Sequence, residues 1–176
     1  MPVDRNFGAG QVVSRDAVGR LRFIVQTVRP YYKNFNKRLV KTPKLYFVDT
    51  GLPAALLGVE SAQSLNYHSQ RGPLFEAWVY SELLKSVYNR GKRPEVYFWR
   101  DRAGHEVDFV EERGSRLQAI EVKSGTTINS DYFAGLRFFQ ELAEESRPRL
   151  VLLYGGDSSQ NRSGVDVVSW KNIDGL

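Results

Sequence analysis

Cysteine is absent from the 176 residues, and histidine nearly so, with only His68 and His105. The first absence excludes disulfides, thiolate metal sites and cysteine nucleophiles, and it suits a reducing cytoplasm, the expected location. The second argues against an imidazole-based zinc site, so any metal is expected to be held by oxygen. No apolar run approaches the length of a membrane span. The N-terminal residues Met1-Pro2-Val3-Asp4-Arg5 lack the apolar core of a signal peptide. No Gly-x-x-x-x-Gly-Lys-Ser/Thr loop occurs, so no ATP site of the P-loop kind is expected in this chain.

Acidic residues are scarce in one region. Positions 1–50 hold three Asp and no Glu against ten Lys/Arg, a net of +7, and the remaining positions hold seventeen acids against fifteen Lys/Arg, a net of −2. Such asymmetry points to a polyanionic partner, most often nucleic acid. The densest part runs from Arg29 to Lys44, with Lys33, Lys37, Arg38 and Lys41 between them and no acid. Tyr31, Tyr32 and Phe35 are interleaved, as in proteins that track a phosphate backbone and stack on bases. The bland alternative is that the aromatics belong to the core and the lysines are solvated.

The pattern of the chain is α/β. Ser14-Arg15-Asp16 is read as a cap for a short helix over Ala17–Arg22. Phe23–Val28 and Leu45–Val48 read as strands, and Pro53–Leu57 as a small helix ended by Gly58. Gly72-Pro73 opens a long helix to about Tyr88, with Phe75, Val79, Leu83 and Val87 recurring every four residues. Three strand-like runs follow, Glu95–Arg100, His105–Glu111 and Leu117–Lys123, joined by turns short enough for antiparallel hairpins. Asn129-Ser130-Asp131 caps a second long helix whose apolar face is Tyr132, Leu136, Phe139 and Ala143. Leu150–Leu153 is an unbroken apolar run, the mark of a strand covered on both faces. The strand ending at Lys123, this helix and this strand are expected to form a parallel β-α-β unit. Val165–Trp170 adds a final strand.

Within this frame, acids recur where apolar residues belong. Asp108 lies in one strand and Glu121-Val122-Lys123 closes the next. Glu121 and Lys123 are two apart and share a face. On the first long helix Glu76 lies about 60° from Val79 and about 20° from Leu83, on the inward stripe. Two carboxylates can hold Mg²⁺ or Mn²⁺, which activates water and neutralises charge at a phosphodiester. Asp108 and Glu121 would be the ligands, with the carbonyl of Val122 as a third. Lys123 would steady developing negative charge. Glu76 is a helical accessory. Glu106 shares a face with Asp108 and reads as a solvated strand residue, and His105 as a half-exposed one. Asp49-Thr50-Gly51 has the letters of an aspartic-protease triplet but fits a cap and turn better.

Glu76, Asp108 and Glu121-Val122-Lys123, in the order αβββαβ, resemble the PD-(D/E)XK nuclease superfamily over about residues 72–154. Val107 replaces the proline that often precedes the first strand acid. Pro30-Tyr31-Tyr32-Lys33-Asn34, Lys37-Arg38, Pro43–Leu52 and Gly72-Pro73-Leu74-Phe75-Glu76 are similar to the C-terminal domain of unknown function of predicted bacterial and archaeal AAA+-type ATPases. The resemblance implies a restriction-endonuclease-like αβββαβ core, its mixed sheet flanked by helices, with a small winged-helix-like remnant before it. The implied division is a basic segment over 1–50, a connecting helix and loop over 51–71, and a nuclease-like domain over 72–176. It also implies DNA as substrate, catalytic roles for Glu76, Asp108, Glu121 and Lys123, an AAA+-type ATPase module as partner, and a homodimer as one arrangement. Lys33, Lys37, Arg38, Lys41 and Lys44 would bind nucleic acid. The competing expectation is a non-catalytic nucleic-acid-binding or protein-interaction domain of such an ATPase that retains the fold.

Overall fold

The computed structural model describes residues 24–32 and 39–176. The helix expected over Ala17–Arg22, and Lys33, Lys37 and Arg38, lie outside the described residues. A hairpin of β1 (Val25–Pro30) and β2 (Lys44–Phe47) precedes three helices, α1 (Gly51–Leu56), α2 (Ala62–Tyr67) and the long α3 (Arg71–Asn89). An antiparallel meander follows, of β3 (Val96–Arg100), β4 (Glu106–Arg113) and β5 (Arg116–Lys123). Helix α4 (Ala134–Leu142), β6 (Arg149–Tyr154), β7 (Gln160–Arg162) and β8 (Val165–Ser169) complete the order. Among the described residues the eight strands join one sheet in the order β2-β1-β3-β4-β5-β6-β8-β7. Among the described residues no helix is long and apolar enough to cross a membrane.

The sheet is mixed because its connections differ in length. Tight turns give the antiparallel β3/β4 and β4/β5 pairs, whereas the crossover through α4 sets β6 parallel to β5, with Ile120 beside Val151 and Val122 beside Leu153. Strand β8 adds in parallel to β6, and β1 pairs in parallel with β3, so the N-terminal hairpin extends the same sheet. The β1–β2 hairpin is thereby brought against the meander.

Each face of the sheet carries one long helix. Ala77, Val79, Tyr80 and Leu83 of α3 pack on Phe98, Phe109, Ile120, Val151 and Leu153. Leu136 and Phe139 of α4 pack on the other face, against Trp99, Val107, Ala119, Leu150 and Leu152. Alternate residues of β6 therefore serve opposite cores, which is why its sequence is apolar without a break. Of the face expected for α4, Leu136, Phe139 and Ala143 are buried, but Tyr132 is only half-buried and lies before the helix, where Phe133 is buried in its place.

Helix α4 is seated against β4 through a glycine. A Cβ on Gly135 would lie 2.2 Å from the carbonyl oxygen of Glu106, a backbone atom that cannot rotate away. Gly135→Ala is expected to lift the start of α4 off the strand and to cost about 3 kcal/mol, at the upper end for overpacking. Chemical denaturation measures this directly, and a loss under about 0.5 kcal/mol, the ordinary range for a surface substitution, would show that the helix seats itself differently.

Candidate functional site

Strand β4 contains the irregularity that builds the site. Its register with β3 shifts between the pairs Tyr97–Val110 and Trp99–Val107, so Asp108 and Phe109 together face Phe98. This two-against-one arrangement is a β-bulge, and a bulge re-aims side chains. On the other side, the β4/β5 ladder reaches Phe109 opposite Ile120. One step further, the Asp108 side chain takes over from the backbone, with Oδ2 accepting a hydrogen bond from the Val122 N–H at 2.9 Å. A carboxylate is thereby wedged between two strands at a sheet end.

Four acids meet around this wedge. Glu76 comes from α3, Glu106 and Asp108 from β4, and Glu121 from β5. Lys44 of β2 lies among three of them, its Nζ 2.6 Å from Glu106 Oε1, 3.0 Å from Glu76 Oε1 and 3.5 Å from Asp108 Oδ1. Tyr46, two residues along β2, donates its hydroxyl to Glu76. Arg100 Nε stands 3.6 Å from the second oxygen of Glu106. Lys123 Nζ bonds Glu121 Oε1 at 2.6 Å and lies 5.5 Å from the centre of the Tyr132 ring. The other Glu121 oxygen, Oε2, is buried with no hydrogen-bond partner.

The electrostatics follow from burial and crowding. Burial, then the charges of Glu121 and Glu76, push the Asp108 carboxyl up to about 8, against the opposing pull of Lys44 and the Val122 N–H. Burial also raises Glu121, although Lys123 offsets part of the effect. Burial alone would lower Lys44 and Lys123, but the surrounding carboxylates win and hold both ammonium groups above their ordinary value. Burial and then Glu76 keep the Tyr46 phenol protonated. The site is a part-buried cluster in which four carboxylates face the ammonium groups of Lys44 and Lys123 and the Arg100 guanidinium.

The structure thus brings Glu76, Asp108, Glu121 and Lys123 to one end of the sheet, with Val122 between the last two. It also brings in residues that sequence reasoning assigned elsewhere. Lys44, grouped with the phosphate-tracking cations, is turned inward, whereas Lys41 and Arg29 are exposed. Glu106 is ion-paired rather than freely solvated, and Tyr46 had no assigned role. The alternation Lys44-Leu45-Tyr46 was the available signal, since it puts the ammonium and the phenol on one face. Of the interleaved aromatics, Tyr31 is buried and bonds Glu112 at 2.8 Å, while Tyr32 is exposed. His105 is tied to Asp101 at 2.9 Å and stacks on Phe138, so it serves the β3–β4 turn.

As they stand, no three His, Asp or Glu among the described residues are placed to hold a metal ion together. Lys44 stands between Glu76, Glu106 and Asp108. The donor set nonetheless suits a hard divalent cation: it is all oxygen, one carboxylate oxygen is buried and bare, and Asp108 is held against its charge.

A mixed α/β domain with a buried carboxylate–lysine cluster at one end of its sheet is the class that fold and site define. Residues 71–173, more than half of the chain, match the domain of unknown function DUF4143, and the chain belongs to that family. Residues 21–63 are similar to a second domain of unknown function, DUF8612. Two uncharacterized proteins, from Mycobacterium bovis and Mycobacterium tuberculosis, are each 28% identical to the chain over 155 residues, covering 87% of it and 33% of the relative. The chain therefore spans about a third of the length of these relatives.

Proposed function

We propose that the chain is a metal-dependent nuclease-type domain that hydrolyses phosphodiester bonds in DNA, with a restriction-endonuclease-like core formed by α3, β3, β4, β5, α4 and β6. The observation that carries this reading is the wedge between β4 and β5, where Asp108 is held on the Val122 N–H beside Glu121, whose Oε2 is buried without a hydrogen-bond partner. Burying a carboxylate oxygen without a partner is costly, and perturbed carboxylates concentrate at functional sites. In a protein of the greater length seen in its relatives, the domain would serve an AAA+-type ATPase module.

Asp108 and Glu121 are the residues that would hold Mg²⁺ or Mn²⁺, with the Val122 carbonyl as a third donor. Such an ion, when bound, supplies a Lewis acid and an acidified water. Lys123 is kept charged by Glu121 and can orient that water or steady charge building on the phosphate. Glu76 is fixed by Tyr46 and Lys44, and so can orient the groups around the ligands. The exposed Arg29 and Lys41, with Tyr32 nearby in the chain, offer contacts for a nucleic-acid backbone and a base.

One observation favours a second reading, a non-catalytic nucleic-acid-binding or protein-interaction domain. Lys44 already neutralises part of the acidic cluster without a metal. Incubating linear, single-stranded and branched DNA with Mg²⁺ or Mn²⁺ separates the two. Cleavage by wild type but not by Asp108→Ala or Lys123→Ala is the expected result. Equal residual cutting by all three, or binding with no cutting, would overturn the nuclease reading.

A further inference from the structure

Lys44 occupies an unusual position for a cation on a basic segment. Its ammonium has three hydrogens, and three carboxylates stand around it at 2.6, 3.0 and 3.5 Å. The longest and weakest of these contacts is to Asp108, the residue read above as a metal ligand. We propose that Lys44 is an internal counter-ion that competes with the divalent cation for Asp108 and withdraws when the ion binds, so that the β1–β2 hairpin sets the metal affinity of the site. This rests on the metal-site reading.

Three features make the exchange feasible. First, two positive charges seeking the same carboxylate repel, so an ammonium this close to Asp108 opposes a dication there. Second, the acids that Lys44 would release keep other partners. Tyr46 still donates to Glu76, and Arg100 stands by Glu106, so neither is stranded. Third, the ammonium has somewhere to go. Its side chain is 23% exposed, so solvent lies within reach of the four-carbon stem and the ammonium can swing outward. Lys123 does not compete in this way, because it holds only one oxygen of Glu121 and leaves Oε2 bare.

Mn²⁺ titration by calorimetry, with bound ion counted by electron paramagnetic resonance, tests the proposal on the wild type, Lys44→Met, Lys44→Gln and Lys44→Arg. Circular dichroism establishes that each is folded, and Asp108→Asn serves as the control without a site. The expected result is one Mn²⁺ bound at least tenfold more tightly by both neutral variants, with Lys44→Arg close to wild type. In chelator, the neutral variants should melt below wild type, and Mn²⁺ should raise their Tm by more. Unchanged or weaker affinity in folded Lys44→Met and Lys44→Gln would overturn the competition while leaving the metal reading intact. So would an equal gain in Lys44→Arg, which keeps the charge. Absence of Mn²⁺ binding in every protein would overturn both.

Discussion

Asp108→Asn is expected to abolish metal-dependent DNA cleavage while making the fold more stable. Loss of one preorganised charged group at a reacting centre costs about 10²–10³ in rate, and loss of a metal ligand at least that. Stability should move the opposite way. Burial and the charges of Glu121 and Glu76 together outweigh Lys44 and the Val122 N–H, which is why the Asp108 carboxyl is raised to about 8. Asparagine can still accept from Val122 and carries no charge, so it relieves the repulsion at the loss of one long ion pair. The net gain should be about 1–2 kcal/mol at neutral pH and above, and each kcal/mol raises Tm by about 2–4 °C for a chain of this size.

The same residue sets a pH dependence. An acid raised in the folded state binds its proton more tightly there than when unfolded, so stability falls as pH rises between the two values. In chelator, wild-type stability should therefore decline from about pH 4, the ordinary carboxylate value, to about pH 8, and level off above. Glu121 is raised as well and adds to the same slope. Asp108→Asn should flatten the profile, and saturating Mn²⁺, which prefers the ionised form, should do the same for wild type. Denaturant midpoints measured from pH 4 to 9 check this. A wild-type profile that rises over this range would mean that the cluster is balanced by its own cations.

Lys123→Met should lose both activity and stability. Glu121 Oε2 has no hydrogen-bond partner already, and this change removes the 2.6 Å contact on Oε1, leaving a buried carboxylate alone. Breaking a fully buried ion pair costs about 3–5 kcal/mol. About a third of the Lys123 side chain is exposed, so water screens the loss and about 1–2 kcal/mol is expected. Cleavage should fall about 10²–10³-fold. Lys123→Arg separates the two effects: it keeps a charge on Glu121 and should restore stability, but a planar guanidinium cannot take the place of the compact ammonium, so the rate stays low. Full activity in Lys123→Arg would reduce this lysine to a structural counter-ion.

The elements with strong periodicity were legible in the sequence. The α3 stripe, the three meander strands and the doubly covered β6 lie where their patterns put them, and so does the α4 face apart from Tyr132. What escaped has physical reasons. Helix α2 buries none of its residues and is held by reciprocal bonds between Ser61 and Ser64, so it carries no apolar signal. Strand β7 is three exposed residues long. The bulge at Asp108 and Phe109 leaves no mark in composition, because it depends on the register with β3. Lys44 was misassigned for the same kind of reason. Lys41, the nearest cation before it in sequence, is exposed, but β1 pairs with β3 across more than sixty intervening residues, and that long-range contact turns Lys44 into the acidic cluster. Asp108 and Glu121 were found because a charge in an apolar strand stands out locally, and Glu76 because it falls on the inward stripe of a helix.

The central claim is that this cluster holds a divalent cation. A crystal grown with Mn²⁺ and measured at the manganese absorption edge tests it most directly. The account predicts one anomalous peak between Asp108 and Glu121, within about 2.0–2.3 Å of a carboxylate oxygen from each, with the Lys44 ammonium withdrawn from Asp108. No peak at that position, with Lys44 still between Glu76, Glu106 and Asp108, would contradict it.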